Sequence, residues 1–142
     1  MCSFRMPSAI KQLPKQAPSC TCTTSFLPRF LLTNARSVLN KFDELELRLS
    51  SEQTDVAVIT ESWITSDTPV EQYSVDGYNV FNKSRPHRNG GGVLLYVKEH
   101  LRALTIEDLH VPSEIEGEWI MLHHPKFPRC VPSIVVFAVY SP

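Results

Sequence analysis

The chain has 142 residues, 42% of them hydrophobic and 20% charged, with a formal net charge of -1. That length suits one domain able to bury roughly two-thirds of its unfolded surface, and no run approaches the roughly 20 continuous apolar residues of a membrane-spanning helix, so no membrane partner is expected. Four of the 14 basic residues and none of the 15 acidic ones lie in residues 1–30, so the remainder is acidic and any polyanion contact must be local rather than a broad basic face.

Residues 1–29 read as a leader that is disordered or foreign to the fold. Pro7, Pro14 and Pro18 and many Ser and Thr break any sustained period of two or of 3.6 there. The basic, acid-free start has the composition of a mitochondrial transit peptide, but the prolines interrupt the amphipathic helix such a peptide needs. Cys20 and Cys22 are separated by one residue, which is not a zinc spacing, and Cys2 and Cys130 lie apart from them. Adjacent His123 and His124 point to opposite faces of a strand and form no metal cluster with Cys130. Reduced, incidental thiols are the expectation, in an intracellular protein of the nucleus or cytoplasm.

The ordered domain is expected over 30–142. Phe30, Leu31 and Leu32 form a short buried strand that stops at Asn34. A helix follows from Ser37, a candidate N-cap, with Val38, Phe42, Leu45 and Leu49 on one face and Lys41, Glu44 and Arg48 in water. Residues 55–60 make a second strand, uniformly apolar from Val56 to Ile59, and strand–helix–strand with such a second strand is the pattern of a covered parallel pair. Further strands are expected near residues 78–83, from Val93 to Val97, and in "LRALTIE", "EWIMLHH" and "SIVVFAVY". One helix and about seven increasingly antiparallel strands make an α+β layered sandwich rather than a doubly wound sheet.

Three polar residues end apolar strands: Asn34 after "FLLT", Glu61 after "VAVIT" and Tyr140 after "IVVFAV". If the first two strands are parallel neighbours, Asn34 and Glu61 share one rim, where side chains escape the core and reach a ligand. A carboxylate there suits a hard cation such as Mg2+, which keeps several waters and takes other oxygen ligands from phosphate. The opposing reading is a solvated strand exit at Glu61 and a turn residue at Asn34. The glycines of "RPHRNGGGV" precede a strand, not a helix, so they are read as a flexible turn and not a phosphate cradle, although Arg85 and Arg88 on that turn could touch a DNA backbone. His87, His100 and His110 are read as solvated, Trp63 and Trp119 as core or groove walls, and "EIEGE" as an exposed acidic turn.

The words "TNARSVLNKFDELE", "VAVITESWI", "GYNVFNKSRPHRNGGGVLLYV", "GEWIML" and "FAVYSP" stand in the order and spacing of a known family. Residues 30–142 resemble the endonuclease/exonuclease/phosphatase superfamily, and most of all the endonuclease domain of LINE-type (non-LTR) retrotransposons. The resemblance implies a DNase I-like layered α/β sandwich, present here to about its first half. It implies Asn34 and Tyr140 at the scissile phosphate, and Glu61 as ligand of Mg2+ or Mn2+. The implied partner is DNA at a target-site phosphodiester, nicked by activated water to leave a 3' hydroxyl. Ser62 replaces the family's Thr, and "NKSR" stands where the family shows an Arg-Asp-Arg run. The family's later Asp-x-Asn and Asp-His motifs do not occur, so enzymatic activity is left open and the expectation is little or none for this polypeptide. A catalytically dead interaction module and a phosphatase of the same superfamily are the alternatives. A half sandwich is also expected to leave its apolar inner face uncovered and to self-associate through it.

Overall fold

The structure is a computed structural model that describes residues 25–84 and 90–141. Two β-sheets and one α-helix are stacked in three layers. The strands are β1 (Phe30–Asn34), β2 (Val56–Thr60), β3 (Tyr78–Lys83), β4 (Val93–Lys98), β5 (Arg102–Thr105), β6 (Glu116–His123) and β7 (Ile134–Tyr140), and the helix is α1 (Phe42–Ser51). The first sheet has the order β1-β2-β4-β3, with β1 and β2 parallel and the other pairs antiparallel. The second sheet, β5-β6-β7, is wholly antiparallel. No helix among the described residues is long and apolar enough to cross a membrane.

The period of two sorts the strand residues between two cores. Ala57, Ile59, Leu94 and Tyr96 face the helical layer, where Val38, Leu45 and Leu49 meet them and Phe42 packs alongside. Val56, Val58, Val93, Leu95 and Val97 face the second sheet, whose Ile120, Leu122 and Ala138 complete the inter-sheet core. The central strands β2 and β4 are therefore apolar on both faces, because both faces are covered.

Several features depart from the sequence-based expectation. Ser37 does not cap the helix: it sits at φ +83, the chain next makes a 3-10 turn at Leu39–Lys41, and α1 starts at Phe42 without a side-chain cap. Strand β1 is half exposed, with Phe30 and Leu32 uncovered. It is the edge of its sheet, and β7 lies across β2 and β4 instead. The inner face predicted to lie bare is covered, because the two sheets face one another. Among the described strand residues, the exposed large apolar side chains are Phe30 and Leu32 on β1 and Leu104, Val135 and Val139 on the second sheet. Residues 25–29, assigned to the leader, have places in the fold. Phe26 donates its N–H to the Lys126 carbonyl and packs near Phe127, His100 and His124, while the Arg29 N–H donates to buried Asp55 at 2.8 Å. His100 is thus packed against Phe26 and lies 3.8 Å from Asp55, rather than being simply solvated. The leader before residue 25 lies outside the described residues.

Candidate functional site

Parallel pairing brings the ends of β1 and β2 together, with Asn34 beside Thr60. The pairing then runs on past both strands: Ala35 N–H donates to the Thr60 carbonyl at 2.9 Å, Ser37 N–H to Glu61 at 3.0 Å and Val38 N–H to Ser62 at 3.0 Å. At this exit the backbone leaves the extended region. Glu61 has φ +55 and Trp63 φ +56, on either side of fully buried Ser62. Left-handed geometry in a residue with a Cβ costs about 1–3 kcal/mol and persists only where surrounding contacts hold it.

The kink redirects a side chain. In a regular strand Glu61 would follow Ile59 toward the helical layer. The left-handed turn instead carries its carboxylate toward the second sheet, where the Tyr140 hydroxyl donates to Oε1. Tyr140 is the last residue of β7, and its ring packs with the inter-sheet core. On the other side, the Trp63 indole Nε1–H donates to Oε2 at 2.6 Å. Glu61 therefore stands at the mouth between the two sheets, tied to a residue 79 positions away.

These donors set the charge state. The Tyr140 hydroxyl foremost, then the Trp63 indole, hold the Glu61 carboxyl below the usual carboxylate range, against the opposing effect of burial. The Gly91 backbone N–H and the Arg36 guanidinium act in the same direction. Glu61 is thus ionised at neutral pH. A carboxyl lowered by folding contributes stability above the ordinary value of 4.5 and loses it as pH falls through the folded value. Tyr140→Phe removes the largest of these donors. Its thermal midpoint is expected to fall less steeply than wild type between pH 5 and pH 3; parallel acid limbs for the two proteins would contradict the tie.

A second carboxylate supports the site from beneath. Glu116, expected in an exposed turn, is 7% exposed. Strand β6 begins at this residue, and alternation puts Glu116 on the inner face with Ile120 and Leu122, while Glu114 remains exposed. The Gly92 N–H donates to the Glu116 carboxylate. Nor do the glycines form a loose turn. The Gly91 carbonyl accepts the Trp63 N–H at 3.0 Å, the Gly92 carbonyl accepts the Ser62 N–H at 3.3 Å, and a Cβ on Gly92 would lie 2.5 Å from the Ser62 Oγ. Glycine is required here because the Ser62 hydroxyl lies against Gly92 and the Glu116 carboxylate against Gly91, leaving no room for a methyl group at either.

No family model and no curated protein matches the chain. Among solved structures it is similar to the AP endonuclease LMAP from Leishmania major, with TM-score 0.56 and 18% identity over 85% of this chain and 46% of that one. It is also similar to the endonuclease domain of TRAS1, a telomere-specific non-LTR retrotransposon, with TM-score 0.56 and 16% identity over 82% of this chain and 47% of that one. The chain has the fold of these endonucleases. The DNase I-like layered sandwich expected from the sequence is therefore present, and the chain spans under half the length of either structure.

Of the residues singled out from sequence, the endonuclease fold brings Glu61 and Tyr140 into direct contact and sets Asn34, exposed, at the neighbouring strand end. No hydrogen bond among those of the described residues joins Asn34 to Glu61. Arg85, Arg88 and His87 lie outside the described residues. Sequence reasoning does not single out Trp63, Arg36 or Glu116 as site residues. Arg36 and Trp63 stand in the "NAR" and "ESW" words that flank the strand ends, which is the available signal, whereas Glu116 has none beyond its place two residues before Glu118. Among the described residues no group of three or more His, Cys, Asp or Glu converges to cage a metal. A single ionised carboxylate at a rim fits a hard cation that retains water and draws further oxygens from a bound phosphate. Two oxygens carry about four lone pairs, so with Tyr140, Trp63 and the Gly91 N–H each engaging one, Glu61 keeps about one for a cation.

Proposed function

We propose that this chain is a DNA-phosphodiester-binding module of the retrotransposon-type endonuclease fold, in which Glu61 is the ligand of a Mg2+ or Mn2+ ion. The observation that carries the reading is the Tyr140–Glu61 contact, since it fixes an ionised carboxylate at the mouth where two sheets open to solvent. When bound, the cation supplies positive charge that polarises a phosphoryl oxygen and lowers the pKa of attached water. The chain's own residues bind and orient. Glu61 holds the ion, the Tyr140 hydroxyl orients that carboxylate by donating its one proton to it, the Asn34 amide addresses phosphate oxygens, and the Arg36 guanidinium offsets the charge of the backbone. Arg85 and Arg88 are proposed as further backbone contacts on DNA inside the cell. The retrotransposon wording of "GYNVF" and "GGGVLLYV" favours a nuclease lineage over a phosphatase.

For this polypeptide we propose binding with little or no strand cleavage, because a general base must stand within hydrogen-bond reach of the water it activates, and Glu61, engaged by Tyr140 and Trp63, is assigned to the cation. The test uses the full chain with supercoiled plasmid and MgCl2, together with a Mn2+ binding titration. Wild type is expected to bind Mn2+ and to retain DNA more tightly with Mg2+, without nicking, while Glu61→Gln loses Mn2+ binding at least about tenfold. Mg2+-dependent nicking that disappears in Glu61→Gln would refute the inactive reading. Mn2+ and DNA binding that ignore Glu61→Gln would refute the cation-ligand reading and favour an interaction module.

A further inference from the structure

We propose that Trp63 is a positioning residue for Glu61, its indole N–H holding one carboxylate oxygen so that the remaining coordinating capacity faces the open mouth between the sheets. The inference rests on the reading of Glu61 as a cation ligand.

Three observations carry it. First, the indole is 47% exposed, yet its one polar atom is turned inward onto Glu61 Oε2 at 2.6 Å. An indole that merely covered core would be buried and would have no reason to aim its N–H at a charge. Second, the base of the side chain is anchored. Trp63 donates its backbone N–H to the Gly91 carbonyl at 3.0 Å, and its neighbours Ser62 and Ile64 are both buried. Third, both Glu61 and Trp63 adopt left-handed backbone, and this pair of kinks closes the two-residue loop that lets position 63 reach back to position 61. In an extended strand these side chains would stand parallel on one face, separated by about two rises of roughly 3.3 Å.

The consequence is a carboxylate held from two sides. Tyr140 secures Oε1 from the second sheet and Trp63 secures Oε2 from the strand exit. Rotation about the last side-chain bond would break one donor or the other, so the carboxylate offered to a cation is preoriented. Partners that orient a metal ligand in this way typically govern about 10–100-fold in metal affinity.

The chain has two tryptophans, Trp63 and Trp119, so an indole 15N–1H spectrum contains an internal control. Trp119 lies in β6, stacked on Phe137 at a ring-centroid distance of 4.0 Å. The Trp63 indole resonance is expected to shift in Glu61→Gln and to shift saturably with MgCl2 in wild type, with Trp119 unmoved in both. Trp63→Phe keeps a ring but removes the donor, and its Mn2+ dissociation constant is expected to rise about tenfold while the Trp119 resonance stays in place. Unchanged Mn2+ affinity in Trp63→Phe, beside a wild type whose binding depends on Glu61, overturns the positioning role and leaves the proposed function standing. Absence of Glu61-dependent Mn2+ binding in wild type overturns the proposed function itself. If Trp63→Phe fails to fold, the wild-type and Glu61→Gln spectra decide alone: a Trp63 indole resonance indifferent to Glu61→Gln means that the bond does not exist in solution.

Discussion

Gly92→Ala is expected to destabilise the chain by about 2–6 kcal/mol, combining left-handed strain of about 1–3 kcal/mol with overpacking of about 1–3 kcal/mol. The backbone at Gly92 has φ +88, and an added Cβ would stand 2.5 Å from the Oγ of fully buried Ser62. Ser62 cannot yield easily. Its N–H is bonded to the Gly92 carbonyl, and its flanking residues Glu61 and Trp63 are already in left-handed backbone. Gly92 also donates to the buried Glu116 carboxylate, so any shift of this backbone withdraws a donor from a charge. Gly77 supplies the comparison, since it has φ +79 but nothing within 4 Å of the place a methyl group would take. Gly77→Ala therefore isolates backbone strain, and urea unfolding of the two variants should differ by at least about 1 kcal/mol. Equal midpoints for both would show that the close approach to Ser62 does not exist.

Leu95→Ala is the second large expected effect, at about 2–5 kcal/mol for truncating a buried leucine in a core that relaxes only partly. Leu95 is fully buried in the central strand β4, paired with Val58 on one side and Phe81 on the other, and faces the second sheet. The cavity would open between the layers whose mating carries Tyr140 to Glu61. Leu104→Ala is the control, because Leu104 is exposed on the second sheet and surface changes usually stay within about 0.5 kcal/mol. Against a total stability of about 5–15 kcal/mol for a domain, the Leu95 variant should show a clearly lowered urea midpoint and the Leu104 variant almost none. A Leu95→Ala protein as stable as Leu104→Ala would mean that the two sheets do not pack on one another as described.

Elements whose signal is local are legible in the order of residues alone. Val38, Phe42, Leu45 and Leu49 repeat at helical spacing and do face the sheet, and the uninterrupted apolar runs of β2 and β4 are covered on both sides. Parallel pairing of β1 with β2 followed from a short strand, one helix and an apolar second strand, and it brings the ends at Asn34 and Glu61 together. Polar residues closing apolar strands were visible for the same reason: periodicity reports where a buried run stops.

The features that no local pattern foretells lie where segments distant in the chain approach closely. Glu61 and Tyr140 are 79 residues apart, and Gly92 and Glu116 are 24 apart, so no local period links them. Glu116 reads as solvated beside Glu114 and Glu118, yet the start of β6 turns it inward onto a glycine amide. Ser37 reads as a cap, but it is left-handed and buried because its N–H is drawn into the continued ladder at Glu61. Composition and spacing record the preferences of a residue's own neighbourhood. The kinked exit at Glu61, its side-chain donors and the close-packed glycines beside them are imposed by contacts between distant segments, which override those preferences.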